Sequence, residues 1–138
     1  MADWKADLAR VVRDKQQADK AAAAQRAAAH DEATAAIRRA VVPAMEDFVQ
    51  ELRKIGKECE FSSCSESAHI TVQGKGTELD LTIEAKGFGL QQTTRGHGYR
   101  GEKGFQPRRA DDSTPTMAEL TKEDVLAELV HIYQMEML

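Results

Sequence analysis

Between Thr93 and Arg109 the chain reads TTRGHGYRGEKGFQPRR, with four glycines, one histidine, one tyrosine and five cationic side chains against a single glutamate. Closely spaced glycines let a backbone turn with positive φ and approach an anion. Arg95, Arg100, Lys103, Arg108 and Arg109 then supply charge for a phosphate, and His97 or Tyr99 a ring to stack on a base. The ligand such a segment suits is a nucleotide, a nucleic acid or another polyanion; an acidic protein partner would satisfy the same charges. Gly96, Gly98 and Gly101 spell GxGxxG. The dinucleotide fingerprint, however, needs a following helix inside a βαβ unit, whereas another glycine and Pro107 follow here. The Gly-Lys-Ser/Thr ending of a P-loop is missing too. The competing reading is structural: a fourth strand or twisted hairpin with GEKG at its tip and its charges in water.

Two further groups carry reactive side chains. Cys59, Cys64, His69 and His97 are the residue types zinc prefers. In an extended segment, though, a step of five residues reverses the face, and the second half of a paired-ligand pattern is missing. We therefore assign no metal and no cofactor, and expect both cysteines reduced, one buried and one exposed. His69, Asp80 and Glu84 alternate with apolar residues on what reads as a polar sheet face. A carboxylate beside a histidine can act as general acid and base, so a small hydrolase or isomerase is a third functional class. There is no nucleophile beside a base, no Gly-x-Ser-x-Gly and no His-Glu-x-x-His, and no catalytic residue is assigned.

The elements that must position these residues follow from periodicity. From Asp3 to about Val42 the chain has neither glycine nor proline, and alanine fills 12 of the 23 positions from 18 to 40. Alanine is the strongest helix former. A 3-4 seam runs through Trp4, Leu8, Val11, Lys15, Ala18, Ala22, Gln25, Ala29, Ala33 and Ala36. A helix of this length, roughly 60 Å at about 1.5 Å per residue, outreaches a compact domain of under 100 residues. We expect residues 1–42 to be an extended helix that associates with its own copy through Trp4, Leu8, Val11, Ala18, Ala22, Ala29, Ala33 and Ala36, with Lys15 and Gln25 interrupting the seam; a lone solvated helix and pairing with a different helix are the alternatives. Arg10 with Asp14, and Lys15 with Asp19, have the spacing for ion pairs along it.

Pro43 predicts a kink or a fresh helix start. Val41, Ala44, Met45, Phe48, Leu52 and Ile55 then form an apolar stripe, and Gly56 a stop. Period-2 runs follow at AHITVQG, GTELDLTIEAKG and GFGLQQTT, joined by short glycine-containing turns, with CEFSSC a candidate edge strand before them. Residues 106–119 read as a polar connection. Thr121 and Asp124 resemble a capping box, and Leu120 and Val125 a hydrophobic staple, for a last helix with Val125, Leu126, Leu129, Val130, Tyr133 and Met137 on its apolar face.

The fold class is therefore α+β: a long Ala-rich N-terminal helix, an antiparallel meander of three to four strands, and a C-terminal helix packed on the sheet, with residues 43–138 as the compact domain. The net charge of −4 conceals blocks of opposite sign. Residues 95–110 hold five cationic groups against one acid, whereas residues 58–94 hold two against six and residues 111–138 one against seven. An acidic whole argues against non-specific coating of DNA. No apolar run reaches membrane-spanning length, the N-terminus lacks a signal-like apolar segment, and two cysteines make no disulfide framework. The expectation is a cytoplasmic homo-oligomeric interaction or assembly protein, with polyanion binding at residues 95–109 as the alternative and no membrane partner.

Overall fold

A computed structural model describes residues 3–74, 76–87, 89–96 and 99–136, with the backbone alone described at 76–78, 96, 99 and 100. Helix α1 spans Trp4–Ala36 and continues through a π-helical turn, Ile37–Val41, into α2, Val42–Lys54. Five strands follow, β1 Glu58–Ser63, β2 Ser67–Gly74, β3 Gly76–Lys86, β4 Gly89–Gly96 and β5 Tyr99–Gly104, and then α3, Lys122–Glu136. The strands pair antiparallel in sequential order, a simple meander. The α+β architecture is as expected, with one strand more than the three to four read from the sequence: CEFSSC does form an edge, and β5 forms the other.

The ends of the helices follow from local chemistry. The Asp3 carboxylate accepts from the backbone N–H groups of Lys5 and Ala6 at 3.2 and 3.4 Å, capping α1. At the other end Lys57 N donates to Leu52 O at 3.0 Å and Gly56 N to Arg53 O at 3.1 Å. This is a Schellman closure, with Gly56 at φ +91°, a conformation that glycine adopts without side-chain strain. Pro43 stands in the first turn of α2, where the α-helix restarts after the π turn, as expected. In that turn Val42 N–H reaches back to Ile37 O, the wider spacing of a π-helix.

One stripe of this helix makes the core. Ala33, Ala36, Ile37, Ala40, Val41, Ala44 and Met45 have no exposed surface, and Phe48, Val49 and Leu52 extend the stripe to the end of α2. It covers the inward residues Ala68, Ile70 and Val72 of β2 and Leu79, Leu81 and Ile83 of β3, all fully buried. Helix α3 adds Val125, Leu129 and Ile132, and the Phe48 and Tyr133 rings meet edge-to-face at 6.0 Å between α2 and α3. Polar contacts set the order of the pieces. The Arg53 guanidinium donates twice to Cys59 O, at 3.1 and 2.8 Å, fixing the turn from α2 into β1. Lys122 pairs with Asp47 across the two helices.

The boundary at residues 42/43 needs correction. Packing begins with Ala33 and Ala36, which were expected on an oligomerisation seam; both lie inside the chain's own core. Their small side chains let α1 approach β3 and β4 closely. Ala36→Leu is accordingly expected to lower the free energy of unfolding by about 1–3 kcal/mol through overpacking, whereas Ala24→Leu, on exposed helix, should change it by less than about 0.5 kcal/mol; urea titrations of both variants check this.

Candidate interaction surfaces

The register of β4 on β5 decides where the cationic segment points. Arg95 pairs with Arg100, Thr93 with Glu102, Gln92 with Lys103 and Gln91 with Gly104. GEKG is therefore part of strand β5 and not a hairpin tip. Strand alternation then divides the cations: Arg95 and Arg100 occupy positions on the open face, and Lys103 is on the helix-bearing face. Arg108 is exposed beyond the strand. His97 lies outside the described residues, and the side chains of Tyr99 and Arg100 do too.

Arg109 has a structural partner. Its Nε donates to Asp124 Oδ1 and its Nη2 to Asp124 Oδ2, both at 3.0 Å, and Nη2 also reaches Glu119 O at 3.3 Å. The same carboxylate caps α3: Thr121 N donates to Asp124 Oδ2 at 3.1 Å while Asp124 N donates to Thr121 Oγ1 at 3.2 Å. The capping box is thus present with aspartate in place of the usual glutamate, and Leu120 and Val125 are buried as its staple. Arg109, read from the sequence as a phosphate contact, here acts as a clamp on the cap of α3. Together with Arg39, which donates to Met117 O at 2.9 Å and Leu120 O at 3.2 Å, it pins the connection before α3 onto the body.

The carboxylates of Asp111, Glu119 and Asp124 are held below their ordinary range. The Arg109 hydrogen bond is the main cause at Asp124, the Ser113 side chain at Asp111, and the Thr116 side chain at Glu119. A carboxyl whose folded value is depressed stabilises the fold above its unfolded value, near 4, and loses that contribution as the pH falls through the folded value.

On the open face the structure brings His69 and Asp80 together: His69 Nε2 lies 2.6 Å from Asp80 Oδ1 across β2 and β3, both side chains about one-third exposed. Glu84 flanks the histidine diagonally on the other side, since His69 is directly opposite Thr82. The cysteines separate. Cys59 is buried with its Sγ donating to Val49 O at 3.3 Å, whereas Cys64 is exposed, its thiol 3.1 Å from Ser67 Oγ. The Ser67 hydrogen bond holds the Cys64 thiol below the ordinary value. Among the described residues, histidine, cysteine and carboxylates form no group of three with metal-ligand geometry.

A cleft of about 320 Å³ between α3 and the β4–β5 hairpin was not anticipated. Gln92, Thr94, Lys103, His131, Ile132 and Met135 line it. Gln92 and Thr94 are buried, with Gln92 Nε2 donating to Thr94 Oγ1 at 3.0 Å. The signal was in the sequence: continuing the alternation from Leu90 puts Gln92 and Thr94 on the inward side. Two polar residues at core positions mark where the hydrophobic layer ends.

The first three-quarters of α1 is uncovered. Every residue from Asp3 to Ala28 is exposed. Trp4 retains 66% of its accessible surface, Leu8 54%, Val11 60% and Val12 47%. Arg10 pairs with Asp7 at 3.7 Å and not with Asp14. Lys5 Nζ stands 5.8 Å above the Trp4 ring, the closest thing to a cover that the indole has. Among the described residues no helix is long and apolar enough to cross a membrane. Comparison with protein-family models, curated proteins and solved structures finds no match for this chain.

Arg109→Met is expected to destabilise the protein at neutral pH and to flatten its acid limb. The wild type loses this contribution as the pH falls from the unfolded carboxyl value, near 4, through the lower folded value of Asp124, and the variant has less of it to lose. Thr121→Ala should cost about 1 kcal/mol by removing the cap hydroxyl. Thermal melts between pH 3 and pH 7 measure the first effect, and urea unfolding at pH 7 the second.

Proposed function

We propose that the protein is a self-associating interaction or assembly protein whose compact α+β body is carried on a helical arm. The observation behind this reading is the arm itself: 26 consecutive exposed residues, with Trp4, Leu8, Val11 and Val12 grouped at its start. Large apolar side chains clustered on an uncovered face favour a partner. A second copy presents the same face at the same concentration. The body gives such an arm a rigid base, because the seam runs without interruption into the core stripe. The reading places the protein in a reducing cytoplasm, where its unpaired cysteines remain thiols.

A second reading, binding of a polyanion, is favoured by one observation. Arg95 and Arg100 stand directly opposite each other on the open sheet face. Like charges so paired repel unless an anion bridges them. Asp80, directly opposite Arg95 on its other side, opposes this reading.

Sedimentation velocity distinguishes the two. The full chain should sediment as a dimer or higher species, and Leu8→Glu with Val11→Glu should return it to monomer with unchanged far-ultraviolet circular dichroism. Deleting residues 1–26, which leaves the core intact, should do the same. A full chain that is monomeric at all concentrations would sink the assembly reading.

A further inference from the structure

The arm admits two ways of pairing with its copy, and they place the bodies very differently. Written as heptads, the seam puts Trp4, Val11, Ala18 and Gln25 at one core position and Leu8, Lys15, Ala22 and Ala29 at the other. At 100° per residue these eight lie on the face that, one and two turns further on, carries Ala33, Ala36 and Ile37. That face is already occupied there by the chain's own β3 and β4, which α1 contacts. A parallel partner in register would therefore run into a level where both seams are covered, and both helices would have to splay. An antiparallel partner leaves through the open N-terminal end, where no sheet stands in its way.

Side-chain size and charge select the same orientation. Parallel pairing sets Trp4 on Trp4, Lys15 on Lys15 and Ala22 on Ala22, so that the large residues crowd and the small ones leave space. It also sets Asp14 beside Asp19 at both flanks, the flanking position of one chain facing that of the next heptad in the other. An antiparallel pair whose two-fold axis passes beside residue 13 instead stacks Trp4 on Ala22, Leu8 on Ala18 and Val11 on Lys15, large against small at each layer. Its flanks bring each Lys5 to the other chain's Asp19 and Val12 to Val12. Asp14 meets its own copy at the axis, next to the two Lys15 stems. The register one heptad longer puts Leu8 on Gln25 and Lys5 beside Arg26, which is worse in both apolar contact and charge.

We infer that the interface is an antiparallel two-helix arm formed by residues 4–22 of two copies, with Leu8 of one chain against Ala18 of the other. This deepens the self-association reading above and rests on it. In such a dimer the two bodies sit at opposite ends of the shared rod. Ala29 and its counterpart are about 32 residue steps apart along the axis, roughly 48 Å at 1.5 Å per residue. Both open sheet faces remain accessible at the ends. The arm is then a spacer as well as an interface.

Cysteine cross-linking tests the orientation and the register separately from association. All variants carry Cys64→Ser to remove the exposed native thiol, and the introduced cysteines fall on exposed arm residues, so the core is untouched. In a glutathione redox buffer the pair Leu8→Cys with Ala18→Cys should convert most of the protein to a species of doubled mass on a non-reducing gel. Leu8→Cys alone should give at least about tenfold less of that species. Efficient cross-linking by Leu8→Cys alone means a parallel pair and overturns the proposal while leaving self-association standing. Preferential cross-linking by Leu8→Cys with Gln25→Cys overturns the register. A monomer in sedimentation equilibrium of the uncross-linked chain overturns both the proposal and the assembly reading beneath it.

Discussion

Everything in this molecule depends on one continuous helical face being buried against the sheet for part of its length. From Ala33 to Leu52 that face is packed onto β2, β3 and α3, and from Trp4 to Ala28 it stands in solvent. The change from covered to uncovered comes where the sheet ends and not where the sequence changes, because alanine is frequent on both sides of it. Small residues at 33, 36, 40 and 44 bring the backbone close to the strands, and Ile37, Val41, Met45 and Phe48 fill the spaces between them. Burial of this kind, at about 25 cal/mol per Å² of apolar surface, is the term large enough to hold the long helix in one orientation on the sheet.

The π turn allows that face to remain continuous. A proline in mid-helix removes one donor and pushes against the preceding turn, and in many helices it produces a kink. Here the helix widens by one residue just before Pro43, and the buried positions follow each other through it at alternating steps of three and one. The arm and the core helix therefore share one buried seam through the π turn.

The second ordering element is electrostatic and local. Asp124 caps α3 and receives both guanidinium nitrogens of Arg109, while Arg39 holds the carbonyls of Met117 and Leu120. The connection from β5 to α3 is rich in polar residues and two prolines, and composition alone gives it no reason to adopt one path. Arg39, from the distant helix, and Arg109, within the connection, supply that reason. One consequence is that the basic segment loses its apparent unity: Arg109 closes a helix cap, Lys103 faces a cleft under α3, and Arg95 stands on the open face of the sheet.

The helices, the strand alternation, the Schellman stop at Gly56 and the cap at Thr121 and Asp124 were all legible in the sequence, since each is set by neighbours within a few residues. The exposure of Trp4, Leu8 and Val11 was legible too, as an excess of helix over anything that could cover it. What the sequence left open is of another kind. Ala29 and Ala36 look alike in composition and periodicity, yet only the fold places the second inside the core. Arg95 and Arg109 look equally fit for a phosphate, yet one stands on an open sheet face and the other closes on Asp124, fifteen residues away. Gln92 and Thr94 follow a strand's alternation but line a cleft that exists only once α3 is in place. Local periodicity determines which elements form and which faces they have; only tertiary packing decides which of those faces is covered, because coverage depends on residues far away in the chain.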